Sequence, residues 1–231
     1  MISNQRAPHF VLEPDAVEIL RRFGIPYPES EFVREAAQVA SAAERLGYPL
    51  VMKIVSEDIV HKSDAGGVAV GISSAREAAA AYERILTSVR AYQPAAVIQG
   101  VFLCRMAEKG EEVIIGTVRD EIFGPTVMFG LGGIFVEILK DVTFRVCPVD
   151  QEQALEMIRE IKGYPVLAGT RGREALAVSR LAELIVKVSR LAVELPGVAE
   201  IDLNPVRVYS HEVTVLDARI FISPPAREPE A

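Results

Sequence analysis

The chain has 231 residues, half of them hydrophobic, and carries a formal net charge of −7 at neutral pH. This size predicts one large domain or two small ones, and the acidic balance argues against a nucleic-acid partner held through its phosphates. No apolar run reaches the roughly 20 residues that a membrane-spanning helix needs. Residues 1–6 are too polar for a signal peptide. We therefore expect a cytoplasmic protein with no membrane partner.

The two cysteines, Cys104 and Cys147, show none of the close spacing that marks a metal or redox motif. We expect both to be small buried hydrophobic residues and not a disulfide.

The first half of the sequence predicts alternating helices and short strands. Pro14 and Asp15 begin a helix that ends at Gly24, and Ser74 with Glu77 forms a capping box that begins another. The remaining predicted elements are a strand near 32–33, a helix over 35–46 and strands over 50–55, 68–72 and 96–106.

Two features of this half are chemically unusual. Lys53 lies within an apolar strand, where its ammonium group must reach the surface, pair with a carboxylate or meet an anion. The polar loop of residues 56–67 contains His61, with Asp64 near it to orient one ring nitrogen and leave the other as a nucleophile. Gly66 and Gly67 let backbone amides come close to a ligand. The plainer interpretation is that His61 is simply solvated.

The second half predicts mostly consecutive strands. A glycine cluster at residues 130–133 follows one of them and offers backbone amides to a phosphate, although its spacing matches no nucleotide fingerprint. The predicted elements are strands over 112–119, 125–129, 135–139 and 143–146, a helix from a capping box at Asp150 to about 161, and a longest helix over 173–194.

A closing strand pair carries the most specific polar residues. Asp202 and Asn204 lie two apart in an alternating strand, so their side chains share one face, and Pro205 ends or edges that strand. The next strand, over 213–216, leads to Asp217. If the two strands pair, Asn204 and Asp217 converge as the hard oxygen ligands that Mg²⁺ prefers. The alternative is that these residues merely mark a strand end and a turn.

The element order predicts an α+β fold of two subdomains, over residues 1–100 and 101–222, with a flexible tail at 223–231. Lys53 in one subdomain and Asn204 with Asp217 in the other would face a nucleotide cleft. A cation, a metal pair and glycine loops describe a nucleoside triphosphate site without a Walker motif.

Several runs of the sequence form a specific pattern when they are taken in order. They are GYPLVMKI at 47–54, HKSDAGGV at 61–68, EVIIG at 112–116, FGLGGIFVE at 129–137, EIDLNP at 200–205 and LDARI at 216–220. Together these runs resemble the ATP-grasp β subunit of ADP-forming acetyl-CoA synthetases, over nearly the whole chain. Succinyl-CoA synthetase β chains look similar at both ends but carry a further domain.

The resemblance implies an ATP-grasp fold and a division of labour between two subunits. A separate α subunit binds CoA and carries a histidine that takes phosphate from an acyl phosphate. The β subunit binds ADP and Mg²⁺ and converts the phosphohistidine into ATP. The assembly implied is an α₂β₂ heterotetramer.

The resemblance also implies roles for individual residues. Lys53 matches the lysine that grips nucleotide phosphates, Asn204 and Asp217 match the Mg²⁺ ligands, and Asp202 matches an acidic position near the transferred phosphoryl group. His61 matches a loop histidine that serves as a second, transient phosphoryl acceptor.

For the rest of the nucleotide, the resemblance implies an adenine-binding hinge with Leu103, Arg105 and Met106, and a ribose contact near Glu112. This hinge departs from the usual Gln-Glu-Met pattern, so the side-chain contact from Arg105 differs from the family's.

The resemblance further places the glycine loop, through Gly132 and Gly133, close to the incoming phosphohistidine.

Two other functions fit the same residues. One is a stand-alone ATP-grasp ligase that joins a carboxylate to an amine or thiol, and the other is a non-catalytic nucleotide-sensing subunit.

Overall fold

The computed structural model describes residues 9–133, 140–170, 172 and 174–223. The chain forms two compact units. Unit 1 comprises residues 1–11, 16–27 and 109–231, and unit 2 comprises residues 12–15 and 28–108. Unit 2 is therefore formed largely by a segment that interrupts the sequence of unit 1. Both units combine helices with antiparallel sheet, which confirms the α+β fold class.

The elements follow one another with short connections. The strands are β1 (His9–Val11), β2 (Ser30–Val33), β3 (Leu50–Val55), β4 (Val68–Ile72), β5 (Gly100–Arg105), β6 (Glu111–Asp120), β7 (Gly124–Leu131), β8 (Val142–Val146), β9 (Val198–Val208), β10 (Val213–Val215) and β11 (Ala218–Ile222). The helices of the described residues are α1 (Glu13–Arg22), α2 (Ala36–Leu46), α3 (Ala75–Tyr92), α4 (Gln151–Glu160), α5 (Tyr164–Leu167) and α6 (Val178–Glu194).

Unit 2 is a four-stranded antiparallel sheet in the order β2-β5-β3-β4, with α2 and α3 packed on it. The predicted cap of α3 is confirmed, because the Ser74 hydroxyl accepts a hydrogen bond from the Glu77 amide at 3.2 Å. The apolar faces of both helices meet buried strand residues such as Met52 and Leu103 in one core.

Unit 1 contains a seven-stranded antiparallel sheet in the order β1-β11-β9-β6-β7-β8, with β10 also paired to β9. Residues of α1, α4 and α6 pack on buried strand residues to form its core. Strand β9 alternates clearly, because Ile201 and Leu203 are buried while Asp202 is half-buried and Asn204 is exposed. The polar pair therefore lies on the sheet face opposite the core, as the period of a strand requires.

Three predicted features differ in the structure. Pro205 does not end its strand, since β9 continues to Val208 and the proline lies at a register shift against β6, where its missing amide hydrogen is tolerated. Helix α6 begins at Val178 and not at residue 173, because the amides of Leu176 and Ala177 donate to Leu167 and Tyr209. At 18 residues, α3 is longer than α6, which has 17.

The contact-defined units also differ from subdomains at 1–100 and 101–222. Strand β5 pairs with β2 and β3 and so belongs to unit 2, and β1 pairs with β11 in unit 1. The strand expected over 135–139 and, apart from Ser223, the tail at 223–231 lie outside the described residues. The capping box at Asp150 is confirmed, and both cysteines are free thiols.

Candidate functional site

Lys53 is buried and paired. It lies in β3 between β4 and β5, and its side chain is only 9% exposed. The Lys53 Nζ donates to Glu13 Oε1 at 2.5 Å, and Lys62 Nζ lies 3.2 Å from Glu13 Oε2. Of the possibilities open to a lysine in an apolar strand, the structure therefore shows the ion pair with a carboxylate.

The polar loop after β3 is fixed by its own backbone. The Gly67 amide donates to the Lys62 carbonyl at 2.7 Å, and the Gly66 amide donates to Ser63 at 3.0 Å. A Cβ atom at Gly67 would lie 2.5 Å from the Ile54 side chain. Gly67 therefore serves the close packing of the loop against β3, and Gly66 approaches Ser88 of α3. The amides of both glycines donate within the loop and are not available to a ligand as the sequence suggested.

His61 projects from this loop and is exposed. Asp64 is exposed as well, and in the portion of the chain that the structure describes the two side chains form no ion pair or hydrogen bond with each other. The prediction that Asp64 orients the imidazole is wrong for this conformation. The ring is open to an incoming group.

The predicted adenine hinge lies at the end of β5. Leu103 is fully buried in the core of unit 2 and pairs with Glu31 and Met52 on either side, so it presents no surface to a nucleotide. Arg105 and Met106 are exposed, and the Met106 amide donates to the Pro49 carbonyl at 2.9 Å. Of the three hinge residues, Arg105 and Met106 are the ones whose side chains are exposed.

In unit 1 the chain returns to bring Asn204 and Asp217 together. The Asn204 amide donates to the Asp217 carbonyl at 3.2 Å, and the Leu216 amide donates to the Pro205 carbonyl at 2.9 Å. Asp217 lies between β10 and β11, both of which pair with β9. The convergence predicted from the sequence is confirmed at the level of the backbone.

Arg219 connects the carboxylates on this face. Its Nη1 lies 4.0 Å from Asp202 Oδ2, and its Nε lies 3.6 Å from Asp217 Oδ2. Desolvation raises the pKa of Asp202, the Arg219 cation lowers it, and the neighbouring carboxylates of Asp217 and Glu200 raise it further. The net effect is a raised pKa.

The donor set suits Mg²⁺ better than a metal that needs several protein ligands. Among residues 9–133, 140–170, 172 and 174–223, no group of three or more His, Cys, Asp or Glu side chains is placed to hold a metal ion. Mg²⁺ needs only one or two protein oxygens and completes its shell with water and phosphates. Asp217 supplies a carboxylate and Asn204 an exposed amide, so these two residues fit the ion.

Two of the residues of unit 1 that were predicted to contact the nucleotide or the phosphohistidine already have partners within the unit. The Glu112 carboxylate pairs with Arg207 on β9. The Gly132 amide donates to the Glu112 carbonyl at 2.7 Å, so that amide is unavailable for cradling a phosphate. Gly133 has a φ of +63°, and no described residue other than its chain neighbours comes within 4 Å of the position that a Cβ would take.

Two charged residues of the site escaped the sequence analysis. Arg219 follows Asp217 at the strand spacing of two, a signal that was present in the LDARI run. Glu13 resembles an ordinary acidic residue in the first turn of a helix, and no local pattern reveals its pairing with a lysine 40 positions away.

No helix in the part of the chain that the structure describes is long and apolar enough to cross a membrane.

Comparisons with known proteins agree with this architecture. The ATP-grasp domain family model matches residues 4–222. The chain is 52% identical over 212 residues to the acetate–CoA ligase [ADP-forming] I subunit β of Pyrococcus furiosus, covering 92% of this chain and 91% of that one. It is 40% identical to acetate–CoA ligase [ADP-forming] I of Archaeoglobus fulgidus, of which it covers 31%.

Solved structures are similarly close. A Ca. Korarchaeum cryptofilum acetyl-CoA synthetase 1, in complex with coenzyme A and Ca-AMPCP, superposes with a TM-score of 0.90 at 41% identity, with 93% of each chain covered. The same synthetase with Mg-AMPPCP, its phosphohistidine segment pointing towards the nucleotide binding site, gives a TM-score of 0.81 at 38% identity over 93% of each chain. The chain belongs to the ATP-grasp family and, within it, to the β subunits of ADP-forming acetate–CoA ligases.

Proposed function

We propose that this chain is the nucleotide-binding subunit of an ADP-forming acyl-CoA synthetase. It transfers a phosphoryl group from a phosphohistidine to ADP, so that acetyl-CoA, ADP and phosphate give acetate, ATP and CoA. The support comes from its membership of the β-subunit family and from the nucleotide analogues that related structures hold. The same membership supports ADP or ATP with Mg²⁺ as the ligands.

The observation that carries the proposal is the backbone contact that brings Asn204 beside Asp217. A carboxylate and an amide oxygen at that point suit Mg²⁺ shared with nucleotide phosphates. The ion supplies charge neutralisation when bound, which is most of what phosphoryl transfer requires besides alignment. Asn204 and Asp217 of unit 1 would hold the ion. For unit 2, we propose that Lys53 contributes a positive charge to phosphate binding.

The remaining residues contact the nucleoside, hold the charge of Asp202 or accept the phosphoryl group. The guanidinium group of Arg219 lies near the carboxylates of both Asp202 and Asp217. Its positive charge favours the ionised form of Asp202. Arg105 and Met106, at the exposed end of β5, contact the nucleoside, and Glu112 lies near the ribose. His61 is exposed, so its ring accepts a phosphoryl group in a relay without first being uncovered.

The partner is a CoA-binding α subunit that carries the phosphorylated histidine. Relatives in which this chain corresponds to about a third of one polypeptide support such a partner, because the other functions reside in the same chain there. We propose an α₂β₂ assembly in the cytoplasm.

The test is a phosphoryl chase. The chain is mixed with its candidate α partner, acetyl-CoA and phosphorus-32 phosphate, and is then given ADP and Mg²⁺. We expect label on a histidine of the α subunit that moves to ATP only when this chain is present. If the label reaches ATP equally well without this chain, the proposal fails.

Two variants make the chase specific. His61→Ala is expected to halt the transfer, whereas His211→Ala, which changes an exposed histidine in unit 1, is expected to leave it intact. Equal transfer in both variants would remove His61 from the relay. ATP-dependent ligation by this chain alone would indicate a stand-alone ligase, and ADP binding with no transfer would indicate a regulatory subunit.

A further inference from the structure

The buried carboxylate of Glu13 holds two lysines of unit 2 at once. Glu13 is 1% exposed, and its two oxygens lie 2.5 Å from Lys53 Nζ and 3.2 Å from Lys62 Nζ. Both lysine side chains are themselves more than nine-tenths buried. The three residues come from three separate parts of the chain, which are the start of α1, strand β3 and the loop that follows it.

This burial is not explained by the place of Glu13 in its helix. An acidic residue in a first helical turn interacts favourably with the helix dipole while it remains at the surface. Burying a carboxylate costs free energy unless it is paired and hydrogen-bonded. Both oxygens of Glu13 face ammonium groups. The carboxylate therefore offsets the repulsion between the positive charges of Lys53 and Lys62.

The second lysine connects this arrangement to His61. Lys62 follows His61 directly, and the Lys62 carbonyl accepts a hydrogen bond from the Gly67 amide at 2.7 Å. Lys62 is thus fixed through its backbone by the loop and through its side chain by Glu13.

We propose that Glu13 is a positioning residue that fixes Lys53 and Lys62 as a two-cation receptor for the phosphates of a nucleoside diphosphate. This inference rests on the proposed function, since it assumes that Lys53 receives those phosphates. Glu13 acts through the lysines and does not itself contact the nucleotide. Its removal leaves the ammonium groups without the carboxylate that orients them.

The experiment measures ADP binding to the full chain by calorimetry with Mg²⁺ present, and then KM and kcat in the assembled enzyme. The variants are Glu13→Gln, which keeps the shape, and Glu13→Asp, which keeps the charge. The control is Glu18→Gln, which removes an exposed carboxylate from the same helix. Residues in one ion-pair network typically couple by factors of about 2 to 150 in an equilibrium constant, so we expect Kd and KM for ADP to rise roughly tenfold in Glu13→Gln.

A positioning role predicts a specific pattern. Glu13→Asp should recover part of the ADP affinity, Glu18→Gln should match the wild type, and KM for acetyl-CoA should stay constant in all three. Combining Glu13→Gln with Lys62→Met should weaken ADP binding by less than the product of the two single effects, because both act on one network.

The outcomes that overturn the inference are distinct from failure of the proposed function. If Glu13→Gln binds ADP as tightly as Glu18→Gln, or if the double-variant effects simply multiply, Glu13 does not act through the lysines. If Glu13→Gln does not fold, Glu13→Asp decides, and a lowered melting temperature with wild-type ADP affinity would show a purely structural role. Absence of ADP binding by the wild type would instead refute the proposed function.

Discussion

Each unit holds a cluster of three charged side chains, and the two clusters differ in how far water reaches them. In unit 2, Glu13, Lys53 and Lys62 have side chains between 1% and 9% exposed. In unit 1, Asp202, Asp217 and Arg219 lie on the sheet face opposite the core, with side chains 18% to 33% exposed and separations of 3.6 and 4.0 Å.

The difference separates stability from ligand binding. Breaking a buried pair leaves an uncompensated charge in a poorly solvated place, whereas a looser, partly solvated pair contributes little to stability. We therefore expect changes in the unit 2 cluster to affect both folding and activity, and changes in the unit 1 cluster to affect mainly activity.

The largest effect is expected for Lys53→Met. Loss of a phosphate-binding cation should reduce ATP formation about a thousandfold. Loss of one of the two lysines that pair with Glu13 should lower the free energy of unfolding, by less than the roughly 3–5 kcal/mol of a fully unpaired buried charge because Lys62 still pairs with Glu13. Steady-state turnover and urea unfolding measure the two effects, and Lys109→Met, at an exposed lysine, is the control. Unchanged stability would remove the contrast between the clusters.

Asp217→Ala should reduce ATP formation by about two to three orders of magnitude, since a metal ligand of the transferring phosphates is lost. Its free energy of unfolding should change by no more than about 1 kcal/mol, because Arg219 stays partly solvated. A titration of activity with Mg²⁺ should show a raised requirement for the ion. A stability loss as large as that of Lys53→Met would contradict the comparison.

Asp202→Asn should abolish phosphoryl transfer and yet raise the stability of the fold. The pKa of Asp202 is higher in the folded state than in the unfolded chain. Ionisation of Asp202 therefore begins to cost stability when the pH rises above its pKa in the unfolded chain. The cost is complete above its pKa in the folded state. The asparagine variant should therefore melt at a higher temperature than the wild type at neutral pH. That gain should disappear as the pH falls, while phosphoryl transfer is lost throughout. Melting curves across the acidic range test the sign.

The smallest effect is expected for Glu31→Gln, which breaks the ion pair with Arg45 on the surface of unit 2. The Arg45 side chain is 58% exposed, and such pairs typically contribute less than about 1 kcal/mol. Urea unfolding and ATP formation should both match the wild type within error. A large loss here would mean that exposure does not distinguish the two kinds of pair in this protein.

Much of the site could be predicted from local patterns. The period of a strand places Asp202 and Asn204 on one face, and the turn that follows brings Asp217 back to Asn204. The caps at Ser74 and Asp150 depend only on residues three apart, and both are confirmed.

The rest depends on contacts between distant parts of the chain. The pairing of Glu13 with Lys53 and the burial of Leu103 arise from tertiary packing, which a local pattern does not contain. The amides of Gly67 and Gly132 looked available in sequence, but each already donates to a carbonyl of its own unit.

Strand β11 lies between β1 and β9, so the first and last described strands of the chain are neighbours in one sheet. His9 pairs with Ile222, whereas every strand of the other sheet has been translated by residue 105. On the ribosome, the sheet of unit 2 is thus complete while β1 still has no neighbour. Since domains fold as units and the earlier one folds first during synthesis, β1 stays without its strand partner until residues 220–222 have been translated.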